Sequence, residues 1–166
     1  KPTRWVLKCP QHLEQLTVLQ KVFPDATVAI THRDPVAVIQ SAITIMAYGQ
    51  RLSRKQVMTE QLAAYWIDRV DHLLRACMQD RDCLPAEQSI DIKFKDLIQN
   101  DVANVEKIYQ RAGLPMTALA EQQLSEFVEQ HKEDYGRVIY DLEGQFGVNP
   151  VTLRQQFDFY ARRFLV

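Results

Sequence analysis

Several features that define particular protein classes are scarce in this sequence. Glycine occurs five times in 166 residues, so long turns should be few, and the three cysteines form neither an even set nor a metal-ligand spacing. These counts argue against a disulfide framework and a metal site, and they indicate reduced thiols. No apolar run approaches the roughly 18 residues of a membrane span. A net charge of −1 leaves no broad basic surface. We therefore expect a cytoplasmic protein that contacts neither membrane nor nucleic acid.

The composition is that of a folded globular domain. Hydrophobic residues make up 46% of the chain and charged residues 25%, which excludes disorder, collagen-like repeats and a coiled coil. A chain of this length can bury about 70% of its unfolded surface, so it can fold without a metal or disulfide. We expect one domain over residues 1–166. The chain opens inside an element, without a cap before Trp5, so we also expect it to be the later part of a larger α/β domain.

Strand and helix patterns alternate along the chain. Three short segments predict strands: the apolar run 5–7, which we expect to be buried, the β-branched run 26–30, and the alternating run 89–94. Strands alternating with helices indicate a parallel sheet with helices on its faces. We therefore predict an α/β fold with a short parallel sheet and a helix-rich C-terminal half. Helical spacing or caps place the helices at 11–23, 35–48, 53–78, 101–113, 117–131 and 150–164, and 136–147 should be a loop.

The turn after the second predicted strand is the strongest functional signal. Asp34 suits an N-cap and Pro35 the first helical position, so a helix should start at this edge of the sheet. Free N–H groups and the dipole at a helix start favour phosphate, and Arg33 adds a fork of donors. Ser41 lies two turns further along and could add a hydroxyl. The alternative is an Arg33–Asp34 surface pair beside an ordinary cap, and the residues alone favour neither.

These residues resemble a known family. Arg33-Asp34-Pro35 followed by Ser41 looks like the 3′-phosphate-binding element of bacterial-type sulfotransferases that use 3′-phosphoadenosine 5′-phosphosulfate. The resemblance is distributed over most of the chain. Phe94 and Lys95 stand where the family usually has Tyr and Glu. Similar segments occur at 5–13, 23–26, 31–35 and 92–97, and at 136–148, which is similar to the family's C-terminal nucleotide loop and begins with Gly136-Arg137.

The resemblance implies a P-loop-like three-layer α/β/α fold and transfer of a sulfuryl group from that nucleotide to a hydroxyl or amine acceptor. The family's loop for the 5′-phosphosulfate does not occur in the 166 residues. We therefore expect the chain alone to be inactive, because the loop would lie in an N-terminal segment upstream of Lys1; a homo-oligomer is the alternative partner. The implied nucleotide-binding residues are Arg33, Ser41, Phe94, Gly136 and Arg137.

His12 and Lys8 are the candidate catalytic residues. Sulfuryl transfer needs a base for the acceptor proton, and histidine titrates near neutral pH. His12 and Lys8 both follow the first predicted strand, where Lys8 could stabilise charge on the sulfuryl group or the leaving phosphate. His32 is the competing base, although its position beside Arg33 suggests that it orients the turn. The bland alternatives are a backbone-bonded His12 at a helix start and a solvated Lys8.

Two other functions compete with an active sulfotransferase. The first is a non-catalytic nucleotide-binding or interaction domain with the same fold. The second is a small nucleotide kinase, since the two folds are related. A kinase needs a glycine-rich loop ending in Lys-Ser/Thr, and the sequence has none.

Overall fold

Two parallel strands, β1 (Val28–His32) and β2 (Ser89–Lys93), form the sheet in the computed structural model, which describes residues 4–131 and 140–166. Val28 pairs with Ser89 and His32 with Lys93, so the carboxyl ends of both strands lie at one edge. The predicted α/β class, with a short parallel sheet and a helix-rich C-terminal half, is confirmed.

Capping side chains mark the starts of several helices. The Asp34 carboxylate accepts a hydrogen bond from the Val36 amide at 3.0 Å, and the Asn149 side chain likewise caps the helix that begins at Pro150.

No helix in the described residues is long and apolar enough to cross a membrane. The helices are α1 (Leu16–Val22), α2 (Pro35–Ser53), α3 (Thr59–Asp80), α4 (Phe94–Gln99), α5 (Asp101–Arg111), α6 (Ala118–His131), α7 (Leu142–Phe146), α8 (Pro150–Gln156) and α9 (Asp158–Phe164), with 3₁₀ turns at Pro10–Glu14 and Arg81–Cys83.

The core lies where α2 and α3 pack together and against the C-terminal helices. On α2, Ile39, Ile43 and Ala47 recur every four residues and are fully buried. The C-terminal helices contribute large side chains to the same cluster, including Phe157 and Tyr160. Residues more than a hundred positions apart in sequence therefore hold β1 and α2 in place.

The prediction of a buried first strand is wrong. Residues 5–7 form no strand, and the side chains of Trp5, Val6 and Leu7 are 87%, 93% and 66% exposed. A strand requires a hydrogen-bonded neighbour, and β1 pairs only with β2 within the described residues. The sheet therefore has two strands rather than the three predicted.

Several helix boundaries also differ from the prediction. Ser53 ends α2 instead of starting the next helix, and its hydroxyl donates to the Gln50 carbonyl. That helix, α3, begins at Thr59. The predicted helix over 11–23 is a 3₁₀ turn followed by α1, and the predicted helix over 150–164 divides at Phe157 into α8 and α9. Within the predicted loop 136–147, the Asp141 side chain caps a short helix, α7.

Candidate functional site

The carboxyl edge of the sheet brings two predicted nucleotide-binding residues together. Arg33 follows β1 and Phe94 follows β2, directly after the paired residues His32 and Lys93. The guanidinium carbon of Arg33 lies 4.5 Å from the centroid of the Phe94 ring. This distance is within the range of a cation–π contact. The guanidinium of Arg33 therefore lies over the aromatic ring of Phe94.

The Arg33 guanidinium does not pair with a carboxylate in the described structure. Within residues 4–131 and 140–166, its side chain makes no hydrogen bond or ion pair, and Phe94 is its contact. The Asp34 carboxylate binds the Val36 amide instead, and its other oxygen accepts from Arg154 Nη2 at 2.9 Å. The alternative of an Arg33–Asp34 surface pair therefore does not describe this turn.

Ser41 lies on the helix that begins beside Arg33. It is six residues after Pro35, which corresponds to about 9 Å along the helix axis. Ser41 is half-buried, and its hydroxyl makes no hydrogen bond to another described residue. Arg33 and Ser41 thus both keep their hydrogen-bonding groups available, one at the start of α2 and one further along it.

His32 is enclosed by other side chains. It is 1% exposed, with Nδ1 2.7 Å from the Tyr160 hydroxyl oxygen and Nε2 2.7 Å from Asp91 Oδ1. Its ring stacks on Phe164 at 3.9 Å between centroids. Both ring nitrogens are already hydrogen-bonded, so neither is available to take a proton from a substrate. Of the two candidate bases, the geometry favours His12.

Asp91 links His32 to Arg81. Its carboxylate accepts from Arg81 Nε at 2.8 Å and from Arg81 Nη2 at 2.7 Å. Partial burial raises the pKa of Asp91, but the hydrogen bonds from His32 and Arg81 outweigh it and hold this pKa well below its usual range. Burial also raises the pKa of Tyr160, whose hydroxyl therefore keeps its proton. The cluster is a charged, fully paired support behind the Arg33 turn.

Lys8 and His12 lie on a different part of the chain. Lys8 is exposed in a segment without regular secondary structure, and His12 is half-buried in the 3₁₀ turn at Pro10–Glu14. The His12 side chain makes no hydrogen bond within the described residues, so it is not the backbone-bonded histidine of the alternative interpretation. Glu14 anchors the turn to α3 through a two-pronged ion pair with Arg69.

The structure does not join the two groups of predicted residues. In the described part of the chain, no hydrogen bond, ion pair or ring contact connects Lys8 or His12 to the predicted nucleotide-binding residues. Nor do any three His, Cys, Asp or Glu side chains there form a group that could hold a metal ion. Two further predicted residues, Gly136 and Arg137, lie outside the described residues.

Sequence reasoning missed the residues that surround the Arg33 turn. Tyr160 and Arg154 come from α9 and α8, and no local pattern connects them with β1. The one available signal was Asp91, a carboxylate in the middle of a strand whose neighbour Ile92 is buried. Aspartate is depleted in strands, so a partner for Asp91 could have been expected.

Comparisons with known proteins bear on the family and the fold of this chain. A family model described as "Sulfotransferase family" matches residues 1–118. The sulfotransferase STF9 from Mycobacterium avium has a similar structure, with a TM-score of 0.81 and 24% identity over 96% of this chain and 41% of that one. The sulfotransferase STF1 from Mycobacterium tuberculosis H37Rv is also similar, with a TM-score of 0.74 and 25% identity over 93% of this chain and 39% of that one. No curated protein sequence matches significantly. The chain thus spans about two fifths of the length of these solved structures, and the fold predicted from the resemblance is confirmed.

Proposed function

Because the chain belongs to the sulfotransferase family, we propose that it contributes to the transfer of a sulfuryl group from 3′-phosphoadenosine 5′-phosphosulfate to a hydroxyl or amine acceptor. One observation supports this most directly. The Arg33 guanidinium stacks on Phe94 at the carboxyl edge of a parallel sheet and has no carboxylate partner among the described residues. Ligands of α/β sheets bind at that edge, and arginine binds phosphate through paired N–H donors.

In this proposal the 3′-phosphate lies against the first turns of α2. Arg33 donates to the phosphate oxygens, Ser41 adds its hydroxyl, and Phe94 holds the guanidinium plane. The start of α2 adds a favourable dipole. Gly136 and Arg137 complete the nucleotide site from the C-terminal loop, as in the family pattern.

The chemical step uses His12 and Lys8. The acceptor oxygen or nitrogen forms a bond to sulfur while the bond between sulfur and the 5′-phosphate oxygen breaks. The acceptor proton passes to His12, and adenosine 3′,5′-bisphosphate leaves with the bonding electron pair. Lys8 stabilises the negative charge that develops on the sulfuryl group and the leaving phosphate. His12 suits the base because its ring nitrogens are free in the described structure, whereas those of His32 are bonded.

The whole activity is proposed for the complete protein, since the chain spans about two fifths of the solved relatives. The 166 residues alone should not transfer sulfate, because contacts to the 3′-phosphate bind the ground and transition states equally. A cytoplasmic location accords with the three cysteines, all of which are unpaired. The second candidate, a domain that binds the nucleotide without catalysis, shares the Arg33 site and differs only in lacking turnover.

The direct test is calorimetry with adenosine 3′,5′-bisphosphate and the complete protein. Arg33→Ala removes a charge-assisted contact of about 1.5–3 kcal/mol and should weaken binding roughly tenfold to a hundredfold. Arg33→Lys should recover only part of the affinity, because lysine lacks the planar fork. Arg51→Ala is the matched control, since Arg51 is an exposed arginine near the other end of α2. Equal affinity in Arg33→Ala and Arg51→Ala would contradict the phosphate assignment.

A further inference from the structure

The two residues next to Arg33 in the chain are both held by the C-terminal helices. His32 is hydrogen-bonded to Tyr160, 128 residues away, and Asp34 is ion-paired with Arg154, 120 residues away. The Arg33 side chain makes no hydrogen bond or ion pair in the described structure, and its ring contact is with Phe94. The side chain free to bind a ligand is therefore carried by a backbone fixed on both sides.

The ring of His32 has a single well-defined position. A carboxylate only accepts hydrogen bonds, so Asp91 requires a hydrogen on Nε2, and Nδ1 lies 2.7 Å from the Tyr160 hydroxyl oxygen. Phe164 covers one ring face, with centroids 3.9 Å apart and planes inclined by 16°. Tyr160 and Phe164 are four residues apart and lie on the same side of α9. This helix thus fixes the histidine that ends β1.

The position of His32 affects the orientation of the next residue, Arg33. The cation–π contact with Phe94 is directional, and paired N–H donors match phosphate oxygens only in a narrow geometry. A displacement of about 1 Å can greatly weaken such an arrangement. We infer that Tyr160 and Phe164 of α9 are positioning residues for Arg33: by holding the His32 ring, they aim the guanidinium at the 3′-phosphate. The inference rests on the proposed function, in which Arg33 binds that phosphate.

Tyr160→Phe tests the inference with little change of shape. It removes one hydroxyl and leaves the aromatic ring in the core. We expect the affinity of the complete protein for adenosine 3′,5′-bisphosphate to fall about threefold to tenfold, less than for Arg33→Ala. The affinity for adenosine 5′-monophosphate, which lacks the 3′-phosphate, should not change. Tyr109→Phe is the control, because Tyr109 is half-buried on α5 and its hydroxyl makes no hydrogen bond in the described structure.

A second pair of variants covers the case in which Tyr160→Phe fails to fold. Phe164→Leu removes the stacking on His32, and Phe127→Leu removes a comparable stack on His131, at 4.0 Å between centroids, on α6. Only Phe164→Leu should weaken binding of the bisphosphate. Far-ultraviolet circular dichroism and thermal unfolding identify which variants are folded.

The outcomes separate this inference from the proposed function. If Arg33→Ala weakens binding while Tyr160→Phe and Phe164→Leu behave as their controls, the positioning role is wrong and the phosphate assignment stands. An equal loss of affinity for both nucleotides would indicate general damage to the fold and would also overturn the positioning role. In the Arg33→Ala background, Tyr160→Phe should cost no further affinity. If Arg33→Ala does not change the affinity for the bisphosphate, the phosphate assignment is wrong, and the positioning role that rests on it is wrong as well.

Discussion

The replacement of Asp91 by alanine removes the centre of the charged support behind the Arg33 turn. Asp91 accepts from His32 Nε2 at 2.7 Å and from Arg81 through Nε at 2.8 Å and Nη2 at 2.7 Å. In the Asp91→Ala variant, the Arg81 side chain, only 11% exposed, loses its counter-charge. The buried His32 ring also loses the acceptor for its N–H. Two polar groups would thus be left without partners away from bulk water.

The size of this effect follows from the burial of the three groups. Removing one partner from a fully buried ion pair costs about 3–5 kcal/mol of unfolding free energy. The Asp91 side chain is 41% exposed, so water already screens part of the interaction and can reach the site in the variant. We therefore expect Asp91→Ala to lower the free energy of unfolding by about 2–3 kcal/mol.

Urea unfolding followed by circular dichroism measures this loss, with Asp158→Ala as the control. The Asp158 side chain is 45% exposed, close to the value for Asp91, but its partner among the described residues is Arg162, one helical turn away. An exposed pair of this kind, together with its position at the start of α9, is worth about 0.5–1 kcal/mol. If the two variants lose the same stability, the argument that burial of Arg81 and His32 makes the cluster important is refuted.

The pH dependence of the same variant has a definite sign. Burial raises the pKa of Asp91, but the hydrogen bonds from His32 and Arg81 outweigh it and lower this pKa below its ordinary value of 3.8. A carboxyl whose pKa is lower in the folded protein than in the unfolded chain stabilises the fold above the unfolded pKa, and this contribution is lost as pH falls toward the folded value. The stability difference between the parent and Asp91→Ala should therefore be constant near neutral pH and shrink below about pH 4. A difference that grows on acidification would contradict the direction of the shift.

Three further predictions can be tested independently. Burial raises the pKa of the Cys77 thiol to about 11, so a thiol reagent at pH 8 should label the exposed Cys9 and Cys83 quickly and Cys77 only after unfolding. Gly113 has φ of +63°, so Gly113→Ala should lower stability by about 1 kcal/mol, measured by urea unfolding. His12→Ala should lower turnover of the complete protein about 10²–10⁴-fold with little change in nucleotide affinity; normal turnover in this variant would mean that another group is the base.

The sequence allowed accurate prediction where the signal was local. Asp34 and Pro35 predicted the start of α2, because an N-cap and a fixed φ act on neighbouring residues. Asn149 before Pro150 predicted α8 for the same reason. The β-branched run at 26–30 located β1 to within two residues at each end. The sheet edge that carries Arg33 was therefore predictable, since it depends on where β1 ends and α2 begins.

Predictions failed where the outcome depends on partners distant in sequence. Residues 5–7 have the composition of a buried strand, but composition alone does not show whether another strand will pair with them. In the described structure their side chains are exposed. The start of α3 was misplaced because Ser53 and Gln56 match a capping box. In the structure, the five residues 54–58 separate the end of α2 at Ser53 from the start of α3 at Thr59.

His32 shows why a functional pattern can be visible in a sequence while its physical support is not. A histidine beside Arg33 can be a base, a phosphate ligand or a structural residue, and the local sequence is the same in all three cases. The choice is made by Tyr160 and Phe164, which approach only after α9 packs against the sheet. Because both ring nitrogens are then occupied, His32 cannot act as the base. Arg33, the next residue, makes no hydrogen bond or ion pair in the described structure, so its guanidinium stays available for the proposed phosphate contact.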